Sequence, residues 1–186
     1  MLIQHDNLII RAATVKDASI LGNWWRDGRV MAHAGEPNGL SINDEDIAVE
    51  LLKETDETSR RLIVELGNKP IGEMSWHNKG SRIVEIGIKI CDFSEHGKGY
   101  GTKLFILLMN YLFNELGYIT ITTSTNTNNM RAQHIYENKI GFHRVGVDEN
   151  SWRDHDGQWQ SYINYMITKE EFDHNLVYEH PIVPHV

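Results

Sequence analysis

One stretch constrains this chain more than any other: His96-Gly97-Lys98-Gly99-Tyr100-Gly101-Thr102-Lys103-Leu104. It follows the alternating run Val84-Glu85-Ile86-Gly87-Ile88-Lys89-Ile90-Cys91 and leads into a long apolar stretch over residues 102–116. Alternation at period two predicts a strand, and Leu104, Leu108, Tyr111 and Leu112 recur at helical spacing. The glycines therefore join a strand to a helix start. The first N–H groups of a helix have no intrahelical acceptor, and the helix dipole favours negative charge there. Glycines at 97, 99 and 101 let the backbone approach a phosphate with no Cβ in the way. A plain turn does not need three of them. The pattern predicts a pyrophosphate site.

The usual nucleotide motifs do not fit. A P-loop requires GxxxxGK followed by Ser or Thr, whereas Gly101 precedes Thr102-Lys103. A dinucleotide fingerprint, GxGxxG, would end at Thr102 or Leu104. Composition narrows the classes further. At 186 residues and 40% hydrophobic content the chain suits one domain with a sizeable core. We expect that domain over residues 1–175, with a tail over 176–186 that carries His180 and His185. A net charge of −8 argues against a general nucleic-acid binder and suits a cationic small substrate in an acidic cleft. The longest apolar run, residues 105–113, is interrupted by Asn110 and far too short to span a membrane, and no basic leader is read in the first residues. The single cysteine, Cys91, is compatible with a reducing compartment, so the expected location is cytoplasmic. The ten histidines show no metal-ligand spacing, and no metal site is expected.

The rest of the chain reads as mixed α/β. A strand is expected at 8–11, and Thr14-x-x-Asp17 caps a helix running to about Arg26. A loop follows over 28–40, then a helix capped by Ser41-x-x-Asp44. A hairpin is expected over 61–66 and 71–76, and a β-branched strand over 119–125. A helix follows at 130–139, with Gly141 as its left-handed stop. Two final strands, 142–152 and 159–167, meet at the turn of residues 154–157.

With these elements in place, the glycine loop resembles the acetyl-CoA loop of the GNAT superfamily of N-acetyltransferases. That loop reads Gln or Arg, two variable residues, Gly, one variable residue, then Gly or Ala. Here it falls on His96 to Gly101, with His96 departing from the usual Gln or Arg. About thirty residues on, Asn129-Met130-Arg131-Ala132-Gln133-His134-Ile135-Tyr136 is similar to the family's N-x-R-A-x-x-x-Y segment. It is followed by Gly141-Phe142 after one residue more than usual. The long final hairpin resembles the branch of ribosomal-protein and spermidine N-acetyltransferases.

The resemblance implies a GNAT-type fold, a mixed and mostly antiparallel sheet flanked by helices. It also implies acetyl transfer from acetyl-CoA to a primary amine by direct attack on the thioester. The acceptor would be a polyamine, a protein N-terminus, an aminoglycoside or another small amine. Ile88, Lys89 and Ile90 would hold the pantetheine arm as an added strand, and His96, Gly97, Lys98, Gly99, Tyr100, Gly101 and Thr102 the pyrophosphate. Asn129 would contact the coenzyme as well as cap its helix, and Arg131 would reach the phosphates. Tyr136 would protonate the leaving thiolate; without the motif its spacing reads as a core aromatic. Glu85 and Glu73 are the carboxylates considered for the base. Trp24, Trp25, Glu36 and Trp152 are expected to wall the acceptor pocket. A non-catalytic acyl-CoA sensor on the same fold is the reading from another class. A homodimer is expected from the family and from five tryptophans; light scattering at micromolar concentration tests it.

Overall fold

The structure is a computed structural model describing residues 1–154 and 156–179. Its centre is an eight-stranded sheet in the order β1-β2-β3-β4-β5-β6-β8-β7. The strands are β1 (Leu2–His5), β2 (Leu8–Ala12), β3 (Ser59–Leu66), β4 (Lys69–Gly80), β5 (Ile83–Ile90), β6 (Thr120–Asn126), β7 (His143–Arg153) and β8 (Trp159–Thr168). All neighbours are antiparallel except β5 and β6. That parallel pair needs a crossover, and α4 (Tyr100–Asn114) supplies it. The expected mixed, mostly antiparallel sheet is the one observed.

Two cores lie on the sheet's two faces. The larger packs α4 against the strands through Leu104, Phe105, Leu108, Met109 and Leu112, which meet Leu62, Met74, Trp76 and Ile86. Leu104, Leu108 and Leu112 are buried as their spacing predicts, while Tyr111 is half-buried near Trp76, with ring centroids 6.3 Å apart. The smaller core lies under α1 (Ala18–Arg26) and α3 (Asp44–Lys53) and joins Leu21, Trp25, Ile47 and Leu51 to Ile63 of β3. Because neighbours along a strand face opposite ways, Leu62 and Ile63 serve the two cores in turn.

Several expectations are corrected. Residues 2–5 form β1, joined to β2 by the two-residue turn Asp6-Asn7, where Asp6 is left-handed at φ 52°. The cap of α3 is Asn43, whose side chain accepts from the Asp46 N–H, and not Ser41. The loop over 28–40 contains a short helix, α2 (Gly28–Met31), and a 3-10 turn at Ala32–Ala34. Met130–Ile135 is α-helical (α5), and Tyr136–Ile140 is a π-helical turn closed by Gly141 at φ 90°. A last helix, α6 (Lys169–Glu179), runs into the segment expected as a tail; His180 and His185 lie outside the described residues. The reciprocal hydrogen bonds of Thr168 and Glu171 start it, and Phe172 anchors it 5.2 Å from the Phe113 ring. Among the described residues no helix is long and apolar enough to cross a membrane.

Candidate active site

The parallel β5–β6 ladder stops early. Its last pair is Glu85 with Thr122, although β6 continues along β8 as far as Asn126 and β5 continues along β4 as far as Ile90. The two strands therefore separate beyond this point. Thr123 marks the place, donating its hydroxyl to the Ile86 carbonyl at 2.9 Å where a strand would have donated an N–H. From Gly87 to Ile90, β5 is paired on one side only. Backbone N–H and C=O groups left on such an edge take up an extended ligand by strand addition. Gly87, Ile88, Lys89 and Ile90 all line a cavity of about 820 Å³.

The glycine loop forms the next wall. Gly97 and Gly99 are left-handed, at φ 79° and 82°, which explains why glycine stands at both. Helix α4 starts at Tyr100, two residues earlier than expected, and Gly99 at its N-cap position offers no side-chain cap. Lys103 is the first residue to bond back, to the Gly99 carbonyl at 3.3 Å. The N–H groups of Tyr100, Gly101 and Thr102 thus have no intrahelical acceptor. An added Cβ at Gly97, Gly99 or Gly101 would meet nothing within 4 Å, so the space beside all three is open. His96, Gly97, Gly99, Tyr100, Gly101 and Thr102 line the cavity. Lys98 does not; it is bound to Glu95 at 2.8 Å.

His96, the departure from the usual motif, contacts the Ile90 carbonyl through Nε2 at 2.8 Å and Arg131 through Nδ1 at 3.5 Å. One ring thereby ties the end of β5 to the start of α5. Asn129 caps α5, accepting from the Ala132 N–H at 3.2 Å, and both Asn129 and Arg131 line the cavity.

Tyr136 is both a core aromatic and a cavity residue. Its ring is buried against Phe105, Phe142 and Tyr165, with centroids 5.3, 5.8 and 5.4 Å away, yet it also borders the cavity. Burial raises the phenol pKa, and a hydrogen bond with Thr123 acts the other way without reversing it. The group stays protonated at neutral pH. The residue added between Tyr136 and Gly141 is absorbed by the π turn: the Gly141 and Phe142 N–H groups both bond the Tyr136 carbonyl, at 3.0 and 2.8 Å.

Neither carboxylate is placed to act as the expected base. Glu85 pairs with Lys79 at 2.9 Å, at the closed end of β5, and is not a lining residue. Glu73 borders the cavity but is 2% exposed and held by three donors. Its Oε1 accepts from Trp25 Nε1 at 2.8 Å and Lys89 Nζ at 2.7 Å, and its Oε2 from Arg61 Nη1 at 3.2 Å. Burial alone would push this carboxyl up; the charges of Lys89 and Arg61, with the hydrogen bonds of Lys89 and Trp25, outweigh it and hold it below the usual carboxylate range. An anion so stabilised is a weak base. A depressed folded-state pKa stabilises the fold above the unfolded value, and that contribution is lost as pH falls through the folded one. Melting curves should therefore show wild type losing stability below about pH 4 more steeply than Glu73→Gln; equal slopes would contradict the network.

Of the residues expected to wall the acceptor pocket, Trp24, Trp25, Glu36 and Trp152 do not themselves line this cavity. Trp24 packs on the smaller core and Trp25 stands behind Glu73. Trp152 stacks on Tyr162, centroids 6.0 Å apart, and covers Gly35 so closely that a Cβ has no room there. Burial raises the Tyr162 pKa; a hydrogen bond with Trp152 opposes the shift, and the nearby charge of Glu36 adds to it. Arg61 and Tyr162, the residues these side chains adjoin, line the cavity. Tyr162 had a faint signal, an aromatic on the polar side of the alternation of Ile163, Tyr165 and Ile167, whereas Arg61 had none.

Residues 7–143 match the family described as acetyltransferase (GNAT) domain. The chain belongs to this family. A relative, the aminoglycoside N(6')-acetyltransferase type 1 of Klebsiella pneumoniae, is 27% identical over 159 residues, covering 77% of each chain. The GNAT fold recurs in the spermidine N-acetyltransferase of Vibrio cholerae, solved with CoA and spermine: TM-score 0.78, 24% identity, 90% of this chain and 99% of that one. The ribosomal-protein-S5-alanine acetyltransferase of Vibrio fischeri gives TM-score 0.78 at 17% identity, covering 92% of this chain and 98% of the other.

Proposed function

We propose that this chain is an acetyl-CoA-dependent N-acetyltransferase in which a primary amine attacks the thioester directly. The supporting observation is a conjunction in one cavity: an unpaired strand edge, an uncapped helix start and a protonated phenol. Residues 88–90 would hold the pantetheine arm, and the N–H groups from Gly97 to Thr102 the pyrophosphate, with Arg131 adding charge. These groups suit acetyl-CoA because the strand edge offers amide partners and the loop has room for phosphate oxygens beside its glycines. In the transfer the amine nitrogen bonds to the carbonyl carbon, the C–S bond breaks, and Tyr136 gives its proton to the departing thiolate. The amine's own proton leaves to water in the cavity, because Glu73 is committed to its three donors.

Free-thiol release from acetyl-CoA with a panel of amines tests the activity. Tight acetyl-CoA binding with no release for any amine would leave the sensor reading in its place. Arg131→Ala should raise the acetyl-CoA Kd about tenfold, or ~1.4 kcal/mol, and leave turnover at saturation unchanged. Calorimetry that finds equal affinity would remove Arg131 from the phosphate site.

A further inference from the structure

The charge on the acceptor side of the cavity carries the proposed activity one step further, to the chemistry of the acceptor. Cross-strand register sets Arg61, Glu73 and Lys89 on one sheet face: Ile63 stands opposite Glu73, and Glu73 opposite Lys89. This is the face that carries Ile63 and the smaller core, away from α4. Two cations there share one carboxylate. Lys89 and Arg61 both contact Glu73, and the trio keeps one net positive charge at the wall of the cavity. The Arg61 guanidinium lies 4.7 Å from the Trp25 ring and donates to Glu73 only through Nη1. The other carboxylate lining the cavity, Glu95, is neutralised by Lys98. An arriving polycation would meet Arg61 and Lys89 first, because Glu73 is buried behind their contacts.

We propose that the acceptor is a small amine bearing a carboxylate, with Arg61 and Lys89 holding the carboxylate while the amine faces the thioester. The planar guanidinium matches a carboxylate geometrically. One net positive charge balances a monoanion, whereas a phosphate monoester would bring about −1.5 to −2 charges at neutral pH. The acidic composition of the whole chain predicts a cationic acceptor; the local charge at the cavity wall reverses that expectation, because an ion bound at a few ångströms responds to its neighbours far more than to charges beyond a screening length of roughly 8 Å.

The test uses amino acids against their carboxamides, pairs matched except for the carboxylate charge, together with an aminoalkyl phosphate, a linear polyamine and an aminoglycoside. CoA release gives kcat/KM, compared per concentration of neutral amine. The carboxylate member of each pair should lead by about tenfold or more, as expected for a charge-assisted contact. Arg61→Gln should collapse that ratio towards one, mainly through KM, and Arg61→Lys should retain part of it. The ratio is taken within one sample, so a partly unfolded variant does not distort it; Lys89→Gln provides a second, independent reduction in charge. A ratio of one or less, a preference for the polyamine, aminoglycoside or phosphate, or an unchanged ratio in Arg61→Gln overturns the proposal. Absence of CoA release from every acceptor, with acetyl-CoA still bound, overturns the acetyltransferase reading instead.

Discussion

Tyr136→Phe is expected to cut turnover about a hundredfold and leave acetyl-CoA affinity nearly unchanged. The ring packs among Phe105, Phe142 and Tyr165, and phenylalanine preserves all three contacts. The π turn that positions it depends on backbone bonds to the Tyr136 carbonyl, which the substitution does not touch. Only the hydroxyl is lost. Because burial keeps that hydroxyl protonated, it would serve in the proposed transfer as an acid and not as a base. It acts when the thiolate leaves, so its loss weakens the transition state while ground-state binding survives. Stability should change by no more than about 1 kcal/mol, the worth of one hydrogen bond. The measurement is kcat at saturating amine and acetyl-CoA with the chemical step limiting. Wild-type turnover there would return Tyr136 to a purely structural role.

The strand, glycine loop and helix around Gly99 were legible because each is a local pattern. Alternation defines β5, glycines without Cβ define the turn, and the leucines at positions 104, 108 and 112 define the buried face of α4. The two-residue hairpin at Asp6-Asn7 and the Thr168–Glu171 cap are also local features, and they mark β1 and α6. The splay of β5 from β6 had no such signature. It depends on which neighbour each strand follows, and Thr123, whose hydroxyl bonds the Ile86 carbonyl there, looks like any β-branched strand residue. The π turn leaves only one trace in the sequence, the additional residue before Gly141. The tryptophans expected near the acceptor lie one layer back from the cavity for a different reason. Tryptophans attract attention in a sequence, yet Trp25 and Trp152 brace the residues that face the cavity. Arg61 becomes meaningful only once register places it beside Glu73 and Lys89.

Gly99→Val should weaken acetyl-CoA binding on the order of a hundredfold, roughly the loss of two charge-assisted hydrogen bonds at 1.5 kcal/mol each. Two effects combine. Gly99 is left-handed, at φ 82° and ψ 0°, and a β-branched residue held there costs the fold about 1–2 kcal/mol or else shifts the loop. The added side chain meets no protein atom within 4 Å, so it projects into the space assigned to the pyrophosphate. Gly101→Ala separates the two effects. Gly101 lies inside the first turn of α4 at an ordinary φ, where alanine should stabilise the helix by up to about 1 kcal/mol. Its Cβ would also enter open space. Gly101→Ala should therefore melt no lower than wild type and yet bind acetyl-CoA less tightly, a combination that backbone strain cannot produce. Calorimetry on the folded proteins reads both constants. Wild-type acetyl-CoA affinity in a folded Gly99→Val protein would move the phosphates elsewhere, and the role of the uncapped helix start would go with them.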